Sequence, residues 1–187
     1  MVRTRVGYAG GTKKHPTYHD LGDHTETIQM DYDPTVISYE QLLHVFWDSH
    51  DAASSPWSRQ YMSIIFYHND EQKRLATESR DREAASKKSR IGTEIRPYSE
   101  FFLAEDYHQK YSLRSERNLL REFTAVYPSE QDFVNSTAAA RVNGFLDGYG
   151  TLADLQAELP GLGLSPQAGR LLTGIVTKRP GRTGCAL

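Results

Sequence analysis

Residues 2–11, VRTRVGYAGG, set Val2, Thr4 and Val6 against Arg3 and Arg5, and Gly10-Gly11 follow. A two-residue period of this kind is that of a strand with one covered face, and the glycine pair ends it. Residues 26–34, ETIQMDYDP, alternate again, with Ile28, Met30 and Tyr32 on one side and Gln29, Asp31 and Asp33 on the other until Pro34 stops the strand. Further on the period changes. Ser38 offers an N-cap, and Leu42, Leu43, Val45, Phe46 and Trp47 form one broad apolar face of a short helix ending near His50. YMSIIFYH (61–68) reads as a buried strand, Asp70 as the cap of a charged helix over 71–89, and TEIRP (93–97) as a short edge strand. Strands and helices intermixed without regular βαβ units predict an α+β domain.

From Ala104 onward the pattern turns helical, with Tyr107, Tyr111, Leu119, Leu120 and Phe123 at mostly helical spacings up to Pro128. Further helical pieces are expected over 130–146, 152–159 and 166–177, separated by GYG and by PGLGLS. Their apolar residues, among them Phe133, Val134, Leu171, Leu172, Ile175 and Val176, predict helices that dock on the domain or on each other. The last stretch, KRPGRTGCAL, has too little apolar surface to offset the entropy of ordering and is expected to be disordered.

Composition narrows the function classes. The chain has 187 residues, 38% of them hydrophobic, enough for one proper core plus an appendage. A net charge of -2 with mixed signs gives no basic field for phosphates or anionic lipid, so no nucleic-acid partner is expected. Apolar runs such as IIFY fall far short of the about 20 residues of a membrane span. No apolar signal segment opens the chain, and a cytoplasmic protein with no membrane association is expected. The single cysteine, Cys185, cannot form an internal disulfide, which agrees with a reducing compartment.

The loop between the first two strands, HPTYHDLGDHTE (15–26), carries three histidines and a cluster of carboxylates. Imidazoles and acids could form a metal shell, but His15, His19 and His24 are interrupted by Pro16 and Gly22 and follow no ligand pattern, so no metal site is expected. Solvation accounts for His15, His19, Asp20 and Asp23. Glu26 stands at the threshold of an apolar strand, where partial burial would keep some of it protonated and able to donate to an electronegative oxygen. Tyr18 and Tyr61 carry hydroxyls that could converge on the same oxygen. Core packing with a satisfied hydroxyl is an equal reading for either tyrosine alone.

Taken together, VGYAGG, PTY, DHTE, ISYEQLLHVFWDSHD, RQYMSIIFY and LAEDYHQKY resemble the A-type peptide methionine sulfoxide reductases, in the same order and with similar separations. The resemblance runs from about Val2 to Tyr111. It implies an α+β domain around a mixed sheet and reduction of the S epimer of methionine sulfoxide, free or in peptides. In that family a cysteine thiolate attacks the sulfoxide sulfur while a glutamate and two tyrosines hold and protonate the departing oxygen. Carried over, the general acid falls on Glu26 and the oxygen-binding phenols on Tyr18 and Tyr61. His24 keeps the histidine beside the acid, as a substrate-binding residue. No cofactor is implied beyond an external thiol reductant such as thioredoxin.

The departures from the family pattern are specific. The family's nucleophile lies in a Gly-Cys-Phe-Trp-Gly segment before VGYAGG, and none of these 187 residues supplies it. The expectation is therefore a truncated chain with no nucleophile, lacking the aromatic pair that grips the substrate methyl and the first strand-helix unit, and inactive as written. Pro56 stands where the family has a buried aspartate, and Trp57 is expected to pack into vacated space. Cys185 sits in a Pro/Gly-rich tail with no helix start to activate it and is expected to be a free surface thiol. The expected organisation is a reductase-like α+β domain over 1–113, a helical extension over 114–178 and a disordered tail over 179–187. The alternative is a noncatalytic descendant that binds methionine sulfoxide or a protein.

Overall fold

The computed structural model describes residues 2–54 and 56–178. The expected disorder of 179–187 and the setting of Cys185 lie outside the described residues. The backbone divides into two compact units: Val6–Glu105, and the chain up to Arg5 together with the chain from Asp106 onward.

In the first unit the α+β expectation holds. The strands are β1 (Arg3–Ala9, begun in the other unit), β2 (Thr25–Asp31), β3 (Ile64–Tyr67), β4 (Glu94–Pro97) and β5 (Phe101–Leu103). They form two small sheets, ordered β2-β1-β5 and β3-β4. β1 and β5 are antiparallel, with Gly7 opposite Leu103 and Ala9 opposite Phe101, whereas β3 and β4 run parallel. β5 escapes the sequence pattern because three residues show no period; it exists through pairing with a strand nearly a hundred residues away.

Helix α1 (Tyr39–Asp48) starts where Ser38 predicts. The Ser38 side chain accepts from the Gln41 N–H, and Gln41 Oε1 accepts from the Ser38 N–H at 2.8 Å, a reciprocal capping box. The next helix, α2 (Asp70–Lys87), corrects the expected cap: Asn69, not Asp70, accepts from the Gln72 N–H, leaving Asp70 in the first turn where its charge suits the helix dipole. Leu43 and Trp47 of α1 pack with Ala76 of α2 and Ile65 of β3. Trp47 is 5% exposed and its Nε1–H donates to Ser79 Oγ at 3.1 Å, so the indole is buried with its polar atom satisfied.

β2 shows which side of an alternating strand is covered. Thr25 is buried and its hydroxyl donates to the Arg59 carbonyl, whereas Glu26 and Ile28 face outward, Ile28 being 55% exposed. The phase is set by the threonine's hydrogen bond, and the apolar side of the sequence pattern is the more open one.

The second unit is helical: α3 (Tyr111–Ser115), α4 (Arg117–Val126), α5 (Glu130–Asn135), α6 (Thr137–Leu146), α7 (Leu152–Glu158) and α8 (Pro166–Lys178). The helix expected over 130–146 is two helices, because Ser136 leaves the helical conformation and its side chain accepts from the Ala139 N–H to cap α6. The helix expected from Ala104 begins only after Lys110, a left-handed residue at φ 52°. Leu119, Phe123, Phe133, Val142, Leu146 and Leu172 close a core of their own, with Leu171, Ile175 and Val176 packed against it. The helices of this unit therefore bury their apolar faces on one another. No helix among the described residues is long and apolar enough to cross a membrane.

Candidate active site

Tyr18, His24, Glu26 and Tyr61 all belong to the Val6–Glu105 unit. Their placement starts from the turn after β1. Gly10 adopts φ +82°, and a side chain on Gly11 would run into Asp23 Oδ1 and the His24 backbone nitrogen, both 2.6 Å from where its Cβ would lie. Only glycines let the turn lie this close to the start of β2. His24 then fastens the two segments. Its Nδ1 accepts from the Gly11 N–H at 3.1 Å, and its Nε2, which must carry the hydrogen, donates to the Lys13 carbonyl at 2.8 Å. At 1% exposure with both nitrogens engaged, His24 supports the backbone two residues before Glu26.

Asp23 performs a parallel task at the surface. Its carboxylate accepts from the Thr12 N–H at 2.8 Å, the Lys13 N–H at 3.2 Å and the Thr12 hydroxyl at 3.0 Å. These donors, the Thr12 N–H foremost, hold its pKa down to about 2 against a small loss of hydration.

Tyr18 is placed from another direction. Glu105, just after β5, accepts the Tyr8 hydroxyl on Oε2 at 2.6 Å and the Tyr18 N–H on Oε1 at 3.0 Å. Tyr8 is 2% exposed and packs with Leu21 and Ala104, so the bridge is anchored in the core. Tyr61 ends a single 3-10 turn, Arg59–Tyr61. Within that turn Gln60 Nε2 donates to Glu26 Oε1 at 2.6 Å, and the Arg59 guanidinium pairs with Glu94.

The three side chains named by the resemblance meet. The Tyr18 side chain lies near enough to Tyr61 to act on it most strongly, and Glu26 acts on Tyr61 by its charge. The Tyr18 side chain first, then loss of water and the charges of Tyr18 and Glu26, raise the pKa of Tyr61 above the ordinary phenol range. Tyr61 thus remains a hydrogen-bond donor at any physiological pH. One expectation fails: Glu26 is exposed, because it alternates with buried Thr25 and so projects from the outward side of β2. Trp57, expected to fill space, is 83% exposed instead.

Tyr8, Gln60 and Glu105 lie within VGYAGG, RQYMSIIFY and LAEDYHQKY, but sequence reasoning gave them no role, since periodicity does not show a carboxylate bridging β1 and the Tyr18 loop. Lys110 was also unforeseen. It lies 5% exposed in the helical unit, its ammonium donating to the Thr4 carbonyl and hydroxyl. Burial, then the charges of Arg5 and Arg114, lower its pKa to about 8. Among the described residues no group of three or more His, Cys, Asp or Glu could hold a metal ion.

The unit has an α+β fold, with Tyr18, Tyr61 and Glu26 near one another. Comparison with known proteins makes this particular. The profile of the peptide methionine sulfoxide reductase family matches residues 1–141, and that of the helical domain of selenoprotein methionine sulfoxide reductase A matches residues 129–176. The chain belongs to the peptide methionine sulfoxide reductase family. It is 42% identical over 168 residues to a peptide methionine sulfoxide reductase of Drosophila melanogaster, covering 89% of this chain and 67% of the relative. It is 40% identical over 151 residues to peptide methionine sulfoxide reductase A5 of Arabidopsis thaliana, covering 78% of this chain but 59% of the relative. Among solved structures, reduced Mxr1 of Saccharomyces cerevisiae superposes with a TM-score of 0.56 at 28% identity, over 61% of this chain and 71% of the yeast one.

Proposed function

We propose that this chain binds methionine-S-sulfoxide as a peptide-methionine (S)-S-oxide reductase family protein that, for lack of the nucleophilic cysteine, does not by itself complete the reduction. Tyr18 and Tyr61 donate hydrogen bonds to the sulfoxide oxygen, and Glu26 delivers the proton that leaves with it. The observation carrying this reading is the meeting of the two hydroxyls with Glu26 beside them. Donors aimed where negative charge develops contribute most to such a step. Glu26 is open to water in the free protein, and a seated substrate would exclude part of that water.

The chemistry balances as one thiol plus one sulfoxide giving one sulfenic acid plus one thioether. The thiolate attacks sulfur, the S–O bond breaks and the oxygen ends on the enzyme's sulfur. An external dithiol such as thioredoxin would then reduce the sulfenic acid, becoming a disulfide as water leaves. Cys185 is the single thiol of the 187 residues, and the sequence around it offers nothing to activate it. The polypeptide by itself is accordingly expected to bind substrate without turning it over.

The test has two arms. With dithiothreitol and an N-acetyl methionine-S-sulfoxide amide, the 187-residue chain should form no methionine; turnover that disappears on Cys185→Ser would make the tail thiol catalytic. In the binding arm, Glu26→Gln should retain affinity within a few fold, since its proton is needed mainly as the S–O bond breaks. Absence of any sulfoxide binding by the wild-type chain would overturn the reading.

A further inference from the structure

A sulfoxide side chain has two ends with opposite needs. Its oxygen wants donors, while its methyl and methylene groups gain only by leaving water, at about 25 cal/mol per Å² covered. The first need is met by Tyr18, Tyr61 and Glu26. The second calls for an apolar surface touching the same trio.

Trp57 has the required position. Its ring centroid lies 4.9 Å from that of Tyr61, tilted by 39°, in direct side-by-side contact with a member of the oxygen-binding group. At 83% exposure it is the most open large apolar side chain among the described residues, and its environment does not account for it as core. Keeping an indole in water forgoes a large burial gain, whereas Trp47, the other tryptophan, is 5% exposed and hydrogen-bonded. Ile28 extends the apolar frame: it follows Glu26 on the same face of β2 and is 55% exposed.

We propose that Trp57 is a substrate-binding residue whose indole face covers the S-methyl and adjoining methylene groups of methionine sulfoxide while its oxygen sits at Tyr18 and Tyr61. This rests on the proposed sulfoxide binding and adds the group that reads the thioether end. Sulfur against an aromatic ring adds a further favourable contact. Because the ring touches Tyr61, one bound side chain can satisfy both needs at once.

The two tryptophans differ so much in exposure that the unmodified protein reports on the proposal. Iodide should quench Trp57 and spare Trp47, and saturating N-acetyl methionine-S-sulfoxide amide should protect the quenchable fraction. By titration calorimetry Trp57→Ala should weaken binding of that compound by about tenfold, equal to roughly 1.4 kcal/mol. Trp57→Phe should recover most of the loss, as a structural defect would not. Quenching that is unchanged by ligand, with Tyr18→Phe still lowering affinity, would remove Trp57 from the site and leave the oxygen-binding reading intact. No calorimetric binding to the wild-type chain would overturn both.

Discussion

The hydroxyl of Tyr8 donates to Glu105 Oε2 at 2.6 Å, and the other oxygen of the same carboxylate receives the Tyr18 N–H. Residues far apart in sequence thereby set the backbone of one proposed oxygen-binding tyrosine. Tyr8→Phe, which deletes a single buried hydroxyl bonded to a carboxylate, should cost about 1.5–3 kcal/mol in urea unfolding. Glu105→Ala should cost at least as much and should also reduce sulfoxide affinity, because Tyr18 loses its tether.

His24 is 1% exposed with both ring nitrogens bonded to the Gly11–Lys13 turn. Replacing it with alanine leaves a partly buried N–H and a partly buried carbonyl without these partners and opens a cavity, at a cost of roughly 2–4 kcal/mol. Asparagine should restore part of this. Denaturant midpoints of the two variants measure the difference, and equal midpoints for His24→Ala and wild type would show that the staple carries no weight.

Asp23 makes the same turn pH-sensitive. Its folded pKa, about 2, lies below the ordinary aspartate value of 3.8. The depressed value means that its stabilising contribution is present above pH 4 and is lost as pH falls toward 2. The Thr12 and Lys13 amides should exchange hydrogen faster in Asp23→Asn than in wild type at pH 6, read by amide exchange.

Lys110 gives a slope of the same sign at the alkaline end, here because folding disfavours its charged form. Its amine, held at about 8, releases its proton sooner in the folded helical unit than in the unfolded chain, where the ordinary value is 10.5. Between those limits the unfolded state binds more protons, so stability should rise as pH increases from 8 toward 10. The full span corresponds to on the order of 3 kcal/mol. Lys110→Met should be more stable than wild type at pH 7 and should lack this slope in thermal or denaturant unfolding.

The parts of the fold that are legible in the sequence are those with local causes. Ser38 caps α1 because its partner Gln41 is three residues away, and the strand β1 follows from its own residues, although its burial increases along the strand and does not alternate. β5, the Lys110 turn and the Glu105 bridge depend on partners about a hundred residues distant, where periodicity is silent. The proposed site divides in the same way. Motif order leads to Tyr18, Glu26 and Tyr61, which the structure brings together, but alternation along β2 cannot say which face is covered. The structure shows it, with Thr25 buried and Glu26 exposed. The exposure of Trp57 is equally invisible to sequence, since an indole usually signals core.

The central claim is that Tyr18, Tyr61 and Glu26 together receive the oxygen of a methionine-S-sulfoxide. Its most direct test is calorimetric titration of the wild-type chain and of Tyr18→Phe and Tyr61→Phe with the separated S and R epimers of N-acetyl methionine sulfoxide amide. The account predicts that the S epimer binds at least about tenfold more tightly than the R epimer, and that either phenylalanine variant loses about fivefold to tenfold of that affinity, the worth of one hydrogen bond. Equal affinity for both epimers, or S-epimer binding unaffected in both variants, would contradict it.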